Sequence, residues 1–305
     1  MEIRYNNLSS YLKKQYQCKI KKICIDGGFT CPNRDGAAGF GGCIFCGDSG
    51  AGEHIANRDC NIEAQVNNVL NADRKDTKYI AYFQNFTNTY SSVDELREKY
   101  YKAIASDKVI ILDIGTRPDC IDEDKVKLLV EISKKKDVWI EFGLQTANDD
   151  TALLINRGYK SERFTESVEM LNECNIKVVM HLILGLPGEN KHSIQNTIEF
   201  INKHRIWGIK IHSLYVMKGT ALEQLYLSGK FTPISLEENA DWAVEILTHI
   251  SPQIVIHRLT GDCPEGLLIA PDWNANKNNV LNKINNVMLE NNYYQGCFHN
   301  DDQNI

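Results

Sequence analysis

The chain has 305 residues, 43% of them hydrophobic and 24% charged, and its 34 basic and 40 acidic side chains give a net charge of −6. Such a chain can bury one sizeable core, which excludes a disordered or collagen-like protein and one that grips nucleic acid over its whole surface, while leaving room for a local basic patch. The longest apolar run, Val178 to Leu186, is broken by His181 and falls far short of the roughly 20 residues of a membrane span. No membrane association is expected. The opening MEIRYNNLSS has no signal-peptide core, so a cytoplasmic chain is expected, with its ten cysteines kept as thiols or metal ligands.

Short β-branched runs alternate with helical patterns along most of the chain. Strands are predicted at Lys19 to Asp26, Tyr79 to Gln84, Val109 to Gly115, Val138 to Gly143, Lys177 to Gly185 and Gly208 to Tyr215. Helices are predicted between them at Asn61 to Ala72, Val93 to Ala105, Asp122 to Lys135, Ser161 to Asn175 and Lys191 to His204, with a further helical turn in Asp149 to Arg157. Beyond Tyr215 follow a helix at Ser235 to His249, a short strand at Gln253 to Leu259, a last helix at Asn279 to Glu290 and a frayed end at 299–305. Without repeats or linkers, this reads as a single α/β domain with a core at about 19–215 and a C-terminal extension at about 216–298. Parallel strands wound by helices form either an open doubly wound sheet or a full or partial barrel. In each, ligands gather at the carboxyl ends of the strands.

The loop after the first strand, GGFTCPNRDGAAGFGGCIFCGD, carries Cys31, Cys43 and Cys46. Cys43 and Cys46 share a C-x2-C spacing that presents two thiolates to one centre, and four glycines among the eleven residues before Cys43 let Cys31 fold back beside them. That makes three ligands without a fourth. A zinc site would close with another Cys or His, for which His54 is the nearby candidate. A [4Fe–4S] cluster on three cysteines leaves one iron open to an exogenous ligand. Three incidental cysteines are the remaining reading. Of the other seven, Cys120 and Cys263 lie near strand ends and could approach the loop, and the rest read as small core residues. The segment SSYLKKQYQCKIKK sets Lys13, Lys14, Lys19, Lys21 and Lys22 around Tyr11 and Tyr16. It is either a solvated charged face or a patch that holds phosphate and stacks a base.

The motifs GGFTCPNRDG, FQNFTNTY, GTRPDC, EFGLQT, NRGY, GLPGE, HSLYVMKGT and PDWNANK, over roughly residues 5 to 275, resemble the radical S-adenosylmethionine (SAM) superfamily, and within it the YhcC/YtqA branch related to the elongator-type enzymes. The superfamily's usual spacing is C-x3-C-x2-C, and the C-x11-C-x2-C found here is an expansion of the kind seen in the elongator-type subunit. The resemblance implies a partial (β/α)6 TIM-like barrel with short N- and C-terminal extensions. It implies a [4Fe–4S] cluster on Cys31, Cys43 and Cys46 whose open iron takes the amino and carboxylate groups of S-adenosyl-L-methionine.

By the same resemblance, Gln145 of G-x-Q would contact the nucleoside, and Arg157 would pair with the methionine carboxylate or a ribose hydroxyl. Gly185 and Gly188 would let backbone approach the adenine. Gln84 and Asn85 stand where a glycine-rich segment receives the methionine amino group, and Thr116, Arg117 and Asp119 stand beside Gly115, where an acid is expected. His181 replaces a ribose-binding aspartate and reads equally as a core histidine; Glu141 is either a ligand contact or a salt-bridge partner. Tyr82, Tyr215, His212, Lys218 and Trp273 are the candidates to face the substrate.

The implied reaction delivers one electron to the sulfonium, releasing methionine and a deoxyadenosyl radical that takes a hydrogen from substrate. An electron donor such as flavodoxin or ferredoxin is implied with it. The leading substrate is the wobble-uridine side chain of tRNA, converted from carboxymethylaminomethyl to aminomethyl, with tRNA held through the N-terminal basic segment. The alternatives are a small metabolite, or a metal-holding module without turnover.

Overall fold

The structure, a computed structural model, describes residues 3–50, 52, 55, 59–72 and 76–299. Its strands are β1 (Lys19–Ile25), β2 (Thr77–Phe83), β3 (Val109–Thr116), β4 (Asp137–Gln145), β5 (Lys177–Leu184), β6 (Gly208–Ser213), β7 (Val216–Met217), β8 (Val255–Arg258) and β9 (Leu268–Ala270). Seven of them form one curled parallel sheet in the order β1-β2-β3-β4-β5-β6-β8, a half-barrel, while β7 and β9 pair antiparallel beside it. The predicted strand at Gln253 to Leu259 therefore extends the barrel wall, which has seven strands among the described residues where six were expected.

Helices α1 (Leu8–Tyr16), α2 (Ile62–Ala72), α3 (Val93–Ala103), α4 (Glu123–Ser133), α5 (Asp149–Leu154), α6 (Ser161–Glu173), α7 (Lys191–Asn202), α8 (Ala221–Leu227), α9 (Leu236–His249) and α10 (Lys277–Glu290) complete the described chain. Several start where a side chain accepts from a free first-turn amide: Ser92 for α3, Asp122 for α4, Asn148 for α5 and Ser235 for α9. Each such cap contributes about 1 kcal/mol. The period of two in β4 shows how the layers form. Ile140, Phe142 and Leu144 turn outward into the main core, where Phe142 meets Phe164 of α6, while Trp139, Glu141, Gly143 and Gln145 turn inward. Burying each such aromatic or aliphatic side chain contributes about 1.5–3 kcal/mol.

Helix α1, unforeseen in the sequence, closes the amino end of the barrel. Its Leu12 joins Ile80, Tyr82, Ile111 and Trp139 in one cluster, and Tyr11 meets Trp207 edge-on at 5.2 Å. Trp207 packs on Trp139 at 4.5 Å, and the Tyr16 hydroxyl donates to Asp137 at the start of β4. The segment expected to touch tRNA thus sits at the end opposite the cysteine loop, and neither tyrosine is free to stack on a base. Lys13, Lys14, Lys19 and Lys21 are exposed there, whereas Lys22 turns into the barrel toward Asp113 and Glu141.

The two ends of the described chain meet at β8. The Ile256 amide donates to Asn6 O at 2.7 Å, and the buried Gln295 accepts from the Asn6 amide while donating to Ser251 O and Ile254 O. The end expected to fray lies, from residue 300 on, outside the described residues.

Candidate functional site

At the carboxyl ends of the strands a cavity of about 290 Å3 opens, and Cys31, Cys43 and Cys46 all lie on its wall. Their loop is fastened to the NRGY turn after α5. Asn33 donates to Asn156 O at 2.5 Å and reaches Cys43 Sγ at 3.8 Å, while the Asn156 amide donates to Phe40 O and Gly42 O at 3.0 and 2.7 Å. Arg34 donates to Cys46 O and Gly47 O at 3.1 and 2.5 Å. Gly158 is needed here: its φ is +82°, and an added Cβ would meet Asn33 Oδ1 at 2.8 Å. Burial, reinforced by the neighbouring thiols, pushes the Cys43 thiol up to about 12, and a metal centre's positive charge would lower it. Among the described residues no three His, Cys, Asp or Glu side chains are grouped to hold a single metal ion. A four-iron cluster instead takes one thiolate at each of three separate corners, and this donor set fits it. His54, the candidate fourth ligand for zinc, lies outside the described residues.

Two arginines brace the wall beyond the cysteines. Arg157 is 1% exposed and its five N–H groups are all engaged: with Leu144 O, Thr146 O and Tyr159 O at 2.7–3.0 Å, and with Asp149 and Ser161 at 3.0 and 3.2 Å. No donor remains for a carboxylate or a ribose, so the expected clamp is instead a brace joining the end of β4 to α5 and α6. Arg117 forks onto Asp119 at 2.7 and 2.9 Å and donates to Arg157 O at 2.8 Å. Gln145 turns back over Gly143 with φ +68°, a left-handed conformation uncommon outside glycine.

The floor of the cavity is a buried charge network around Glu141. Lys210 and His181 both bond Glu141 Oε2, the latter at 2.9 Å; Lys22 lies 3.4 Å from Oε1 and 2.7 Å from Asp113, and Lys210 reaches the Tyr82 hydroxyl at 3.1 Å. Burial alone would raise the Glu141 carboxyl, but Lys210, Lys22 and His181 together hold it well below the usual carboxylate range. Burial pushes Lys210 down to about 8 against the pull of Glu141, and burial with Glu141 raises Asp113 to about 7. Burial and then Lys210 lower His181 to about 4, so its ring is neutral. An ionised carboxylate can only accept, so the proton sits on His181 Nε2 and Nδ1 remains an acceptor.

Profiles of known families match most of the chain: the Radical SAM superfamily over residues 31–201 and the Radical_SAM C-terminal domain over 206–290. YtqA of Bacillus subtilis is 40% identical over 300 residues, 97% of this chain and 93% of that protein. The chain belongs to the radical SAM superfamily. A tRNA uridine(34) acetyltransferase of Dehalococcoides mccartyi is 26% identical over 163 residues, 52% of this chain and 35% of that one. Among solved structures, the archaeal Elp3 of Methanocaldococcus infernus superposes with a TM-score of 0.69 at 16% identity, over 91% of this chain and 64% of that longer one. Radical SAM enzymes use a [4Fe–4S] cluster and SAM and need a reductant, and the chain is an enzyme of this kind. Among the described residues no helix is long and apolar enough to cross a membrane.

Of the residues singled out for SAM, Gln84, Thr116, Glu141, Gln145, Arg157 and His181 lie on the cavity wall, as do Gly143 and Arg117. Asn85 and Gly185 do not. Asn85 is buried behind the wall, where a Cβ on Gly52 would meet it at 2.7 Å, and Gly185 packs against Ile234 at the GLPG turn with φ +85°. Thr116 Oγ1 is taken by Thr89 at 2.6 Å. Among the substrate-facing candidates, Tyr82, His212 and Tyr215 line the cavity; Lys218 lies on the β7 turn and Trp273 donates to Ile234 O, both off the wall. Cys120 and Cys263 are also off it. Sequence reasoning missed Arg34, Lys210, Arg258 and Asp262, which do line the cavity. Strand alternation was a usable signal for Lys210, two residues before His212 on β6.

Proposed function

We propose that Cys31, Cys43 and Cys46 hold the [4Fe–4S] cluster and that the enzyme acts in the cytoplasm on the wobble-uridine side chain of tRNA, removing the carboxymethyl group of carboxymethylaminomethyluridine. The observation that carries the cluster assignment is that all three cysteines line one cavity at the carboxyl end of the barrel. The substrate reading is supported by the likeness, over half the chain, to a tRNA uridine(34) acetyltransferase. When bound, the cluster and SAM supply a radical that abstracts a substrate hydrogen. The chain's own groups do the rest. Arg157 and Arg117 keep the β4 end and NRGY turn rigid, and the wall residues Gln84, Gln145 and His181 offer amide groups and an imidazole acceptor to a nucleoside. Tyr82 and the Lys210–Glu141 pair keep the cavity floor polar.

The experiment is nucleoside mass spectrometry of tRNA from a strain lacking the gene: carboxymethylaminomethyluridine accumulates at the wobble position and aminomethyl derivatives disappear. An unchanged profile rejects this substrate and favours a small metabolite. Because the N-terminal basic segment lies at the other end of the barrel, tRNA is expected to approach over the cysteine-loop face instead.

A further inference from the structure

Five cationic side chains line the cavity: Arg34, Arg117, Arg157, Lys210 and Arg258. Four are engaged: Arg34 with backbone carbonyls of the cysteine loop, Arg117 with Asp119, Arg157 with five acceptors, Lys210 with Glu141 and Tyr82. Arg258 differs. Among the described residues its guanidinium makes no hydrogen bond; its nearest acid, Asp262, is 3.7 Å away and is already held at 2.6 Å by Lys277. Its side chain is 39% exposed at the cavity wall. It is paired in register with Lys210 across β6 and β8, so it stands beside Tyr82 and His212 over the floor network. A guanidinium on a cavity wall that is held only by an ion pair at 3.7 Å and makes no hydrogen bond of its own can receive a carboxylate through two parallel hydrogen bonds.

We propose that Arg258 is the specificity residue that receives the carboxylate of the substrate side chain. This rests on the reading of carboxymethylaminomethyluridine as substrate, whose side chain ends in that group. The methionine part of SAM carries a carboxylate too. Arg258 stands with Tyr82 and His212 over the floor network, whereas the cationic neighbours of the cysteines are Arg34 and Arg117, which favours the substrate as the source.

The test uses reconstituted holoenzyme, tRNA from the deletion strain, and N-methylglycine as a small carboxylate probe followed by saturation-transfer NMR. In R258Q the KM for tRNA rises about ten- to hundredfold, the weight of one charged hydrogen-bonded pair. The rate of deoxyadenosine release without tRNA stays as in the parent, and R258K recovers part of the KM. The N-methylglycine signal is lost in R258Q. An unchanged KM with an unchanged probe signal overturns the proposal while leaving the substrate reading intact. A fall in tRNA-free deoxyadenosine release that parallels the loss of conversion assigns Arg258 to SAM and also overturns it. If the parent enzyme leaves the tRNA unaltered yet binds N-methylglycine through Arg258, the substrate reading fails and the carboxylate site stands.

Discussion

The two ends of the barrel are built from opposite materials. At the amino end Tyr11, Trp139 and Trp207 pack against one another under α1, and apolar contact fills the space. At the carboxyl end a cavity is lined by thiols, amides and cations, many of them fastened by long-range hydrogen bonds. Strand β4 runs through both: Trp139 belongs to the plug, Glu141 to the charged floor, Gly143 and Gln145 to the cavity. The contrast teaches that one face of one strand can serve stability at its start and chemistry at its finish. Such a division follows from where the loops converge.

The contrast can be broken most severely at the cysteine loop. Cys43→Ala is expected to reduce deoxyadenosine release by the reconstituted protein to background while far-UV circular dichroism stays unchanged; release at parental rates would remove Cys43 from the site. Next comes the floor. Glu141→Gln leaves Lys210 buried without its anion, while Lys22 keeps Asp113, and is expected to cost about 3–5 kcal/mol in urea unfolding.

A smaller effect lies in the acid limb of the stability curve. Burial holds His181, His212 and His257 below the ordinary histidine value, so the unfolded chain takes up protons that the folded one refuses. Their contribution is full above about pH 6.5 and is lost as pH falls below it, for His181 as pH falls through about 4. Asp113, raised to about 7, has the opposite sign: its contribution is present below its unfolded value near 4 and is lost as pH rises through 7. His257→Gln should therefore flatten the acid limb by about 1.4 kcal/mol per pH unit, read from melting midpoints just below pH 6.5. The smallest effect is expected at the plug's outer surface. Lys13→Ala with Lys14→Ala should change stability by less than about 0.5 kcal/mol and tRNA affinity by less than about twofold. A large loss of affinity would return tRNA to the amino end.

Much of this was legible in the sequence because it is local. The β-branched runs marked the six core strands, and the cysteine spacing with its glycines marked the loop that joins the cavity wall. The family resemblance, through G-x-Q, singled out Gln145, which lines the cavity. What escaped was pairing over distance. Arg157 looks available in INRGY, and only the folded chain shows its donors taken by acceptors between Leu144 and Ser161. Arg258 looks ordinary in VIHRLTG, and becomes notable only when its four cationic neighbours on the wall prove engaged. Helix α1 was misread because its lysines drew the eye; Leu8, Tyr11, Leu12 and Tyr16 already spell a helical stripe at spacings of three and four.

The meeting of the chain's two ends at β8 bears on the order of events during synthesis. The Asn6 amide waits for Gln295, 289 residues further along the chain. Contacts of such separation form late because the intervening loop must close first. Strand β8 can pair with β6 before then, but its tie through Gln295 to Asn6 forms only once residue 295 is in place.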